Sequence, residues 1–169
     1  MTTTEPTVLP QGDVRLLHTE LAQRLLASRE LARLSYVTAD GTPRVFPMLF
    51  QWTGQEIVFA TFAGARKIAA ISARPAVAIT IDVPGPPPGV LLLRGQAVVT
   101  EAEGLVPEYE QAQHRYYGPE HGAAAVAEIN RPGLRMARIA CRPSWVGTLD
   151  FTSRFPGGRG AAEFAERGR

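Results

Sequence analysis

Between residues 31 and 61 the chain reads LARLSYVTADGTPRVFPMLFQWTGQEIVFAT, three runs rich in β-branched and aromatic residues separated by Asp40-Gly41 and Thr53-Gly54. A glycine in such a pair supplies the positive φ that a tight hairpin needs, whereas parallel neighbours need a long crossover. The turns therefore predict an antiparallel meander and argue against a doubly wound parallel sheet. No Gly-x-Gly-x-x-Gly follows a strand, which removes the usual dinucleotide fingerprint. Pro43 and Pro47 cannot donate to a ladder, so the middle run is expected to be irregular or to lie at an edge, its backbone open to another molecule.

The remaining segments fit the same class. Residues 14–28 place Leu17, Leu21, Ala22 and Leu25 on one face with a period near 3.6, which predicts a first helix. A second helix is expected over 65–73, ending before Pro75, and AVAITIDV (76–83) follows as a nearly continuous apolar strand, read as buried on both faces. After the stiff PGPPPG loop (84–89) comes a long strand over 90–101, in which Gly95 suits a bulge or a close backbone approach. Two short helices, 105–117 and 120–129, are broken by Gly118-Pro119, and two last strands, 134–143 and 144–151, are divided by Pro143. Six to seven mostly antiparallel strands with helices inserted between them predict an α+β fold built on a closed or split β-barrel.

Composition bounds the function. With 169 residues, 45% of them apolar, the chain has enough for one domain and one core. The core domain is expected over 14–155, between mobile segments at 1–13 and 156–169 that are small, polar or Gly-rich. A formal charge of +2, with the basic residues spread along the sequence, offers no strand-tracking surface for nucleic acid. A lone cysteine, Cys141, excludes an internal disulfide, suits a reducing cytosol and is expected to pack as a small hydrophobe; no Cys/His cluster has metal-ligand spacing. No apolar run is long enough to span a membrane, and the chain reads as soluble and cytoplasmic.

Chemistry concentrates in FATFAGARKIAAISARP, residues 59–75. Thr61 at a strand end offers a hydroxyl, Arg66 a planar fork and Lys67 a point charge, all converging on a helix N-terminus, as a phosphate monoester requires. Cations there oppose the helix macrodipole, so the pair makes sense if an anion offsets it. On spacing alone a phosphate cradle and two solvated residues at a helix start both stand. Equally, Phe46, Met48 and Phe50 either present apolar surface to a ligand or alternate into an ordinary core.

FATFAGARKIAAISARPAVAITI resembles the phosphate-binding strand and helix of the pyridoxamine 5′-phosphate oxidase-like flavoproteins, whose pattern is roughly (F/Y)xTxxxSRKxxxLxxNPxxxL. Thr61, Arg66, Lys67, Ile71 and Pro75 fall at matching positions without a gap. GTPRVFPMLF resembles the strand lining the flavin ring, LLLRGQA a later barrel strand with its glycine, and ARIACRPSWVGTLDF the closing pair, so order and spacing agree over roughly residues 30–150. The resemblance implies a split-barrel homodimer with FMN at the interface, its phosphate on Arg66 and Lys67 and its ring against Val45 to Met48. The cofactor-binding set it implies is Arg44, Val45, Phe46, Pro47, Met48, Thr61, Phe62, Arg66, Lys67 and Trp145, with no catalytic side chain and no metal ligand assigned. Trp145 either packs beside the flavin from the partner subunit or fills the barrel end. The activity implied is an oxidoreductase moving a hydride between flavin N5 and a small organic substrate.

Two departures narrow this. Ala65 stands where the family's oxidases commonly carry serine, and FTSRFPGGRG has no counterpart of the C-terminal Arg/His substrate pattern, so the vitamin B6 reaction is not expected. Related proteins use the deazaflavin coenzyme F-420, whose polyanionic tail calls for extra cations. Uncharged Ile68-Ala69-Ala70 leans toward FMN, while Arg74, Arg154 and Arg159 stand as candidates for a tail. A non-catalytic module holding flavin, haem or another ligand is a third reading. His18, His114 and His121, and the glutamates Glu108, Glu110 and Glu128, read as solvated, and Tyr116-Tyr117 as core packing at a helix end. The substrate pocket is expected from loop 84–89, helices 105–129 and the partner's tail.

Overall fold

Among the described residues seven antiparallel strands form one sheet, and three α-helices and a 3-10 helix pack around it. This is a computed structural model, and it describes residues 9–156. In chain order a 3-10 helix (Val14–His18) precedes α1 (Glu20–Ala27), β1 (Ala32–Val37), β2 (Pro43–Met48), β3 (Gln51–Trp52), β4 (Ile57–Phe62) and α2 (Arg66–Ala73). Then come β5 (Ala76–Val83), β6 (Gly89–Glu103), α3 (Pro107–Ile129) and β7 (Arg135–Leu149). The spatial order is β2-β1-β5-β6-β7-β4-β3, with β2 and β3 as unjoined edges, so the α+β expectation holds and the sheet is open, as in a split barrel. Alternate residues of the strands fill the interior, among them Leu34, Ile79, Leu91, Ile139 and Phe59, with Leu25 and Ile71 from α1 and α2 against them.

Both predicted hairpins form, β1 with β2 across Asp40-Gly41 and β3 with β4 across Thr53-Gly54. The meander does not. The middle run splits after Met48, sending β2 and β3 to opposite edges of the sheet, because each pairs only with its hairpin partner and Phe50 between them turns into the core. Edge placement of β2 agrees with its two prolines.

Three further readings are corrected. Residues 14–28 are two helices, because Thr19 is extended (φ −70°, ψ 151°); its hydroxyl donates to the Leu16 carbonyl and accepts from the Ala22 N–H as the cap of α1. The break rotates the buried face to Leu16, Ala22, Leu25 and Leu26, leaving Leu17 and Leu21 partly buried. β5 is not buried on both faces: Val77, Ile79 and Ile81 point inward, while Ala76 and Ala78 on the other face are exposed and Thr80 and Asp82 continue that outward face. The last two strands are one, β7, running through Pro143.

Proline fits there because of Gly95. The β6–β7 register shifts between Arg94 and Gly95, and Pro143 stands opposite Gly95 at the bulge, where a missing N–H breaks no regular ladder bond. A Cβ on Gly95 would lie 2.7 Å from both the Arg142 carbonyl oxygen and Cys141 Sγ. Gly95→Ala is therefore expected to cost about 1–3 kcal/mol by overpacking. That corresponds to a Tm lowered by roughly 2–12 °C in thermal unfolding, and an unchanged Tm would show that the bulge has room.

Gly118 is non-helical (φ 82°, ψ 172°) and divides α3 as the Gly118-Pro119 signal predicted. The tails 1–8 and 157–169, and with them Arg159, lie outside the described residues. At the start of the described chain Gln11 donates to the Thr148 carbonyl and accepts from the Thr148 N–H, and the Gly12 N–H bonds the Val146 carbonyl on β7.

Candidate cofactor site

Among the described residues β2 pairs with β1 alone and is left bare, with Val45 62% and Phe46 50% exposed. Of the alternating trio, Phe50 is fully buried, Met48 packs against the core edge and Phe46 stands in the open. The core reading thus applies to Phe50 and fails for Phe46. The Lys67 ammonium lies 4.8 Å from the Phe46 ring centroid.

Lys67 reaches that position because β4 ends at Thr61-Phe62, the chain turns at Gly64 and α2 begins at Arg66. Ala65 caps α2 without any side-chain hydrogen bond, as the missing serine hydroxyl predicts. The Lys67 ammonium donates to Thr61 Oγ1 at 3.3 Å. Among the described residues no carboxylate forms an ion pair with it. Burial lowers its pKa from the ordinary 10.5, so the charge is held at a cost that an arriving anion would relieve.

Thr61, Lys67 and residues 46–48 share one cleft of about 260 Å³. Its sheet side is completed by Leu49, Val58 and Ala60, and its other wall is the first half of α3, through Glu108, Tyr109, Ala112 and Gln113. Glu108 is not a solvated residue: its side chain is 15% exposed and accepts from Arg138 at 2.8 Å, and Arg138 also pairs with Glu56 at 3.1 Å. Gln113 is 5% exposed and its Oε1 has no hydrogen-bond partner. Burial raises the pKa of the Tyr109 hydroxyl, against a side-chain hydrogen bond with Gln113 that acts the other way. From the sequence, helices 105–129 are assigned to a pocket without Glu108, Tyr109 or Gln113 being named as its lining. The available signal was Gln113 standing among Tyr109, Ala112 and Tyr116 on an otherwise apolar helical stripe.

The other candidates are dispersed. Arg66 and Arg44 line a separate depression with Tyr36, Thr38, Ala39 and Asp40. Phe62 is half exposed at the end of β4. Trp145 lies against Gly12 and Gly147 with the Arg94 guanidinium 4.1 Å over its ring, outside the cleft of Lys67. Arg74 is held by its bonds to the Thr38 and Ala39 carbonyls. Loop 84–89 and α3 line different cavities; the loop shares one of about 490 Å³ with Arg24, Thr148 and Arg154. Tyr116 is core, donating to the Glu30 carbonyl at 2.7 Å, and Cys141 is buried, its thiol pushed up to about 11 chiefly by desolvation. Among the described residues no cluster of His, Cys, Asp or Glu is placed to hold a metal ion, and no helix is long and apolar enough to cross a membrane.

An open seven-stranded α+β barrel whose bare edge strand faces a lysine-bearing cleft is the class that fold and cleft define together. The model of the pyridoxamine 5′-phosphate oxidase family matches residues 18–142, and the chain belongs to that family. The resemblance seen in the motifs holds at this level.

Among solved structures the chain is similar to an F420 reductase, at 26% identity over 74% of this chain and 94% of that one, with a TM-score of 0.55. It is also similar to a pyridoxamine 5′-phosphate oxidase-related, FMN-binding protein from Nostoc punctiforme, at 15% identity over 86% and 89% of the two chains and a TM-score of 0.58. A haem-binding protein from Mycobacterium smegmatis shares the fold at 19% identity, over 78% of this chain and 53% of that one, with a TM-score of 0.55. No curated protein matches the sequence.

Proposed function

We propose that this chain is an FMN-dependent oxidoreductase, with the phosphate taken by Lys67 and Thr61 and the ring laid on the exposed apolar strand from Val45 to Met48. One observation carries the reading: a partly buried ammonium with no carboxylate partner among the described residues sits 3.3 Å from a hydroxyl and 4.8 Å from an exposed aromatic ring, all in one cleft. When bound, the flavin supplies hydride transfer at N5; the protein supplies binding, orientation and exclusion of water. Lys67 and Thr61 anchor the anionic end, and Phe46 and Met48 offer the flat apolar contact a ring needs. Arg66 and Arg44, in the next depression, add positive potential to the approach.

At about 260 Å³ the cleft is smaller than most small-molecule sites, and β2 with Phe62 leaves apolar surface bare beside it. Both support a homodimer in which a second copy completes the cofactor site and could bring Trp145. The lone, buried Cys141 suits a reducing, cytoplasmic setting.

A second reading, the deazaflavin coenzyme F-420, is favoured by the paired guanidinium-bearing residues Arg44 and Arg66 beside the phosphate cleft and by the similarity to an F420 reductase. The deciding measurement is the absorption spectrum of the purified protein, with mass spectrometry of the released ligand. A flavin band and FMN mass are expected. Colourless protein that ignores added FMN overturns the reading, and tight F-420 binding with negligible FMN binding reverses the order of the two. Bound flavin that neither NADPH nor NADH reduces, without oxidase activity, would point to a carrier.

A further inference from the structure

We propose that the cavity of about 490 Å³ beyond the C-terminal end of β7 is a second ligand site, built for a phosphate monoester with an apolar body and gripped by Arg24 and Arg154. It shares no lining residue with the cleft of Lys67, so the proposal stands whether or not that cleft holds a flavin.

α1 brings Arg24 to this cavity and the turn that follows β7 brings Arg154. Among the described residues neither guanidinium forms an ion pair or a side-chain hydrogen bond, whereas Arg74, Arg115 and Arg138 are each held by one or the other. Arg24 has Glu20 four residues before it on the same helix, the order and spacing that favour a helical ion pair, and the pair is not made. Its Nη2 atom lies instead beside Gly89, 3.5 Å from where a Cβ would stand, and that Cβ would also come within 2.8 Å of Leu21 Cδ1. The absent side chain thus leaves room for Leu21 and the guanidinium against the loop backbone. Arg154 has Asp150 four residues before it, but that carboxylate is spent on its own turn. Its Oδ1 accepts from the Thr152, Ser153 and Arg154 N–H groups at 2.9, 2.8 and 2.7 Å, and its Oδ2 from the Ser153 hydroxyl at 2.6 Å.

Glu20 and Asp150 both line the cavity, so its preference comes from which groups are left free to bond rather than from net charge. Two guanidiniums facing one space repel each other, and an arriving anion relieves both. A carboxylate fills one guanidinium fork with its two oxygens, while the three terminal oxygens of a phosphate monoester serve two forks at once. Leu21, Pro87 and Pro88 add apolar surface, and the prolines offer no N–H, so the body of the ligand meets carbon. The volume is that of a small-molecule site.

Titration calorimetry on the Lys67→Ala protein takes the cofactor cleft out of the comparison. Phenyl phosphate is expected to bind roughly tenfold more tightly than benzoate and severalfold more tightly than inorganic phosphate, with no heat from benzylamine. Arg24→Gln and Arg154→Gln should each weaken phenyl phosphate by roughly tenfold. Neither should lower the Tm of the ligand-free protein, because neither guanidinium holds another described residue. The same losses are expected with Lys67 in place. No heat from phenyl phosphate, benzoate or benzylamine binding as tightly, or an affinity that survives both arginine substitutions would each overturn the proposal. Protein that takes up no flavin removes the reading of the Lys67 cleft and leaves this site untouched.

Discussion

Lys67→Ala is expected to weaken FMN binding by roughly tenfold to a hundredfold, measured by quenching of flavin fluorescence on titration. A hydrogen bond to a charged group contributes about 1.5–3 kcal/mol, and here the ammonium is already partly desolvated and already aligned by Thr61, so little reorganisation offsets the gain. Thr61→Val, which removes one neutral donor at nearly constant volume, should cost only several-fold. Arg66→Ala should fall between them, because Arg66 lines the neighbouring depression and acts on the phosphate through space. The pH dependence has a defined sign. Burial lowers the Lys67 pKa below 10.5, so anion affinity is complete below that lowered value and falls as pH rises through it, earlier than for a solvated lysine. Affinity indifferent to Lys67→Ala would place the phosphate elsewhere.

Phe50→Ala is expected to be the most destabilising single truncation near the site. Phe50 is fully buried, meets Tyr116 edge-on at 6.3 Å and 82°, and lies under the Arg115 guanidinium at 4.6 Å. Arg115 also donates to the Phe50 and Ser28 carbonyls, so one side chain ties the β2–β3 crossing, the end of α1 and α3 together. Removing the ring should cost about 3–5 kcal/mol. Thermal unfolding would then show a Tm lower by roughly 6–20 °C. Phe46→Ala, four residues earlier and half exposed, should change stability by no more than about 0.5 kcal/mol while weakening flavin binding. If both variants unfold alike, Phe46 belongs to the fold after all and the bare-strand argument for the ring fails.

That contrast shows where residue-level reasoning reaches and where it stops. Phe46 and Phe50 have the same parity in one alternating run, so periodicity gives them the same face. They part because the strand breaks after Met48, and nothing local records the break: β3 is drawn to the far edge by its hairpin with β4 and by the pairing of β4 with β7, about eighty residues away in sequence. Gly95 opposite Pro143 was legible from one side only, since the glycine announced a close approach without naming what approaches. For β5 the alternation was legible, since Ala76, Ala78, Thr80 and Asp82 share one face, and reading it as buried throughout weighs its apolar content over its period of two.

Features set within a few residues were written in the chain: hairpin turns at Asp40-Gly41 and Thr53-Gly54, the helix break at Gly118-Pro119, the edge character of a strand with two prolines, and Thr61 and Lys67 six residues apart across a strand-to-helix turn. Each depends on backbone dihedrals or chain geometry over a short span, which side-chain chemistry controls directly. The separation of Arg66 from Lys67, the placement of Trp145 beneath Arg94, and the α3 wall of Glu108, Tyr109 and Gln113 depend on which distant surfaces meet. Those meetings are settled by burial summed over the whole core, a non-directional force that leaves no mark at any single position.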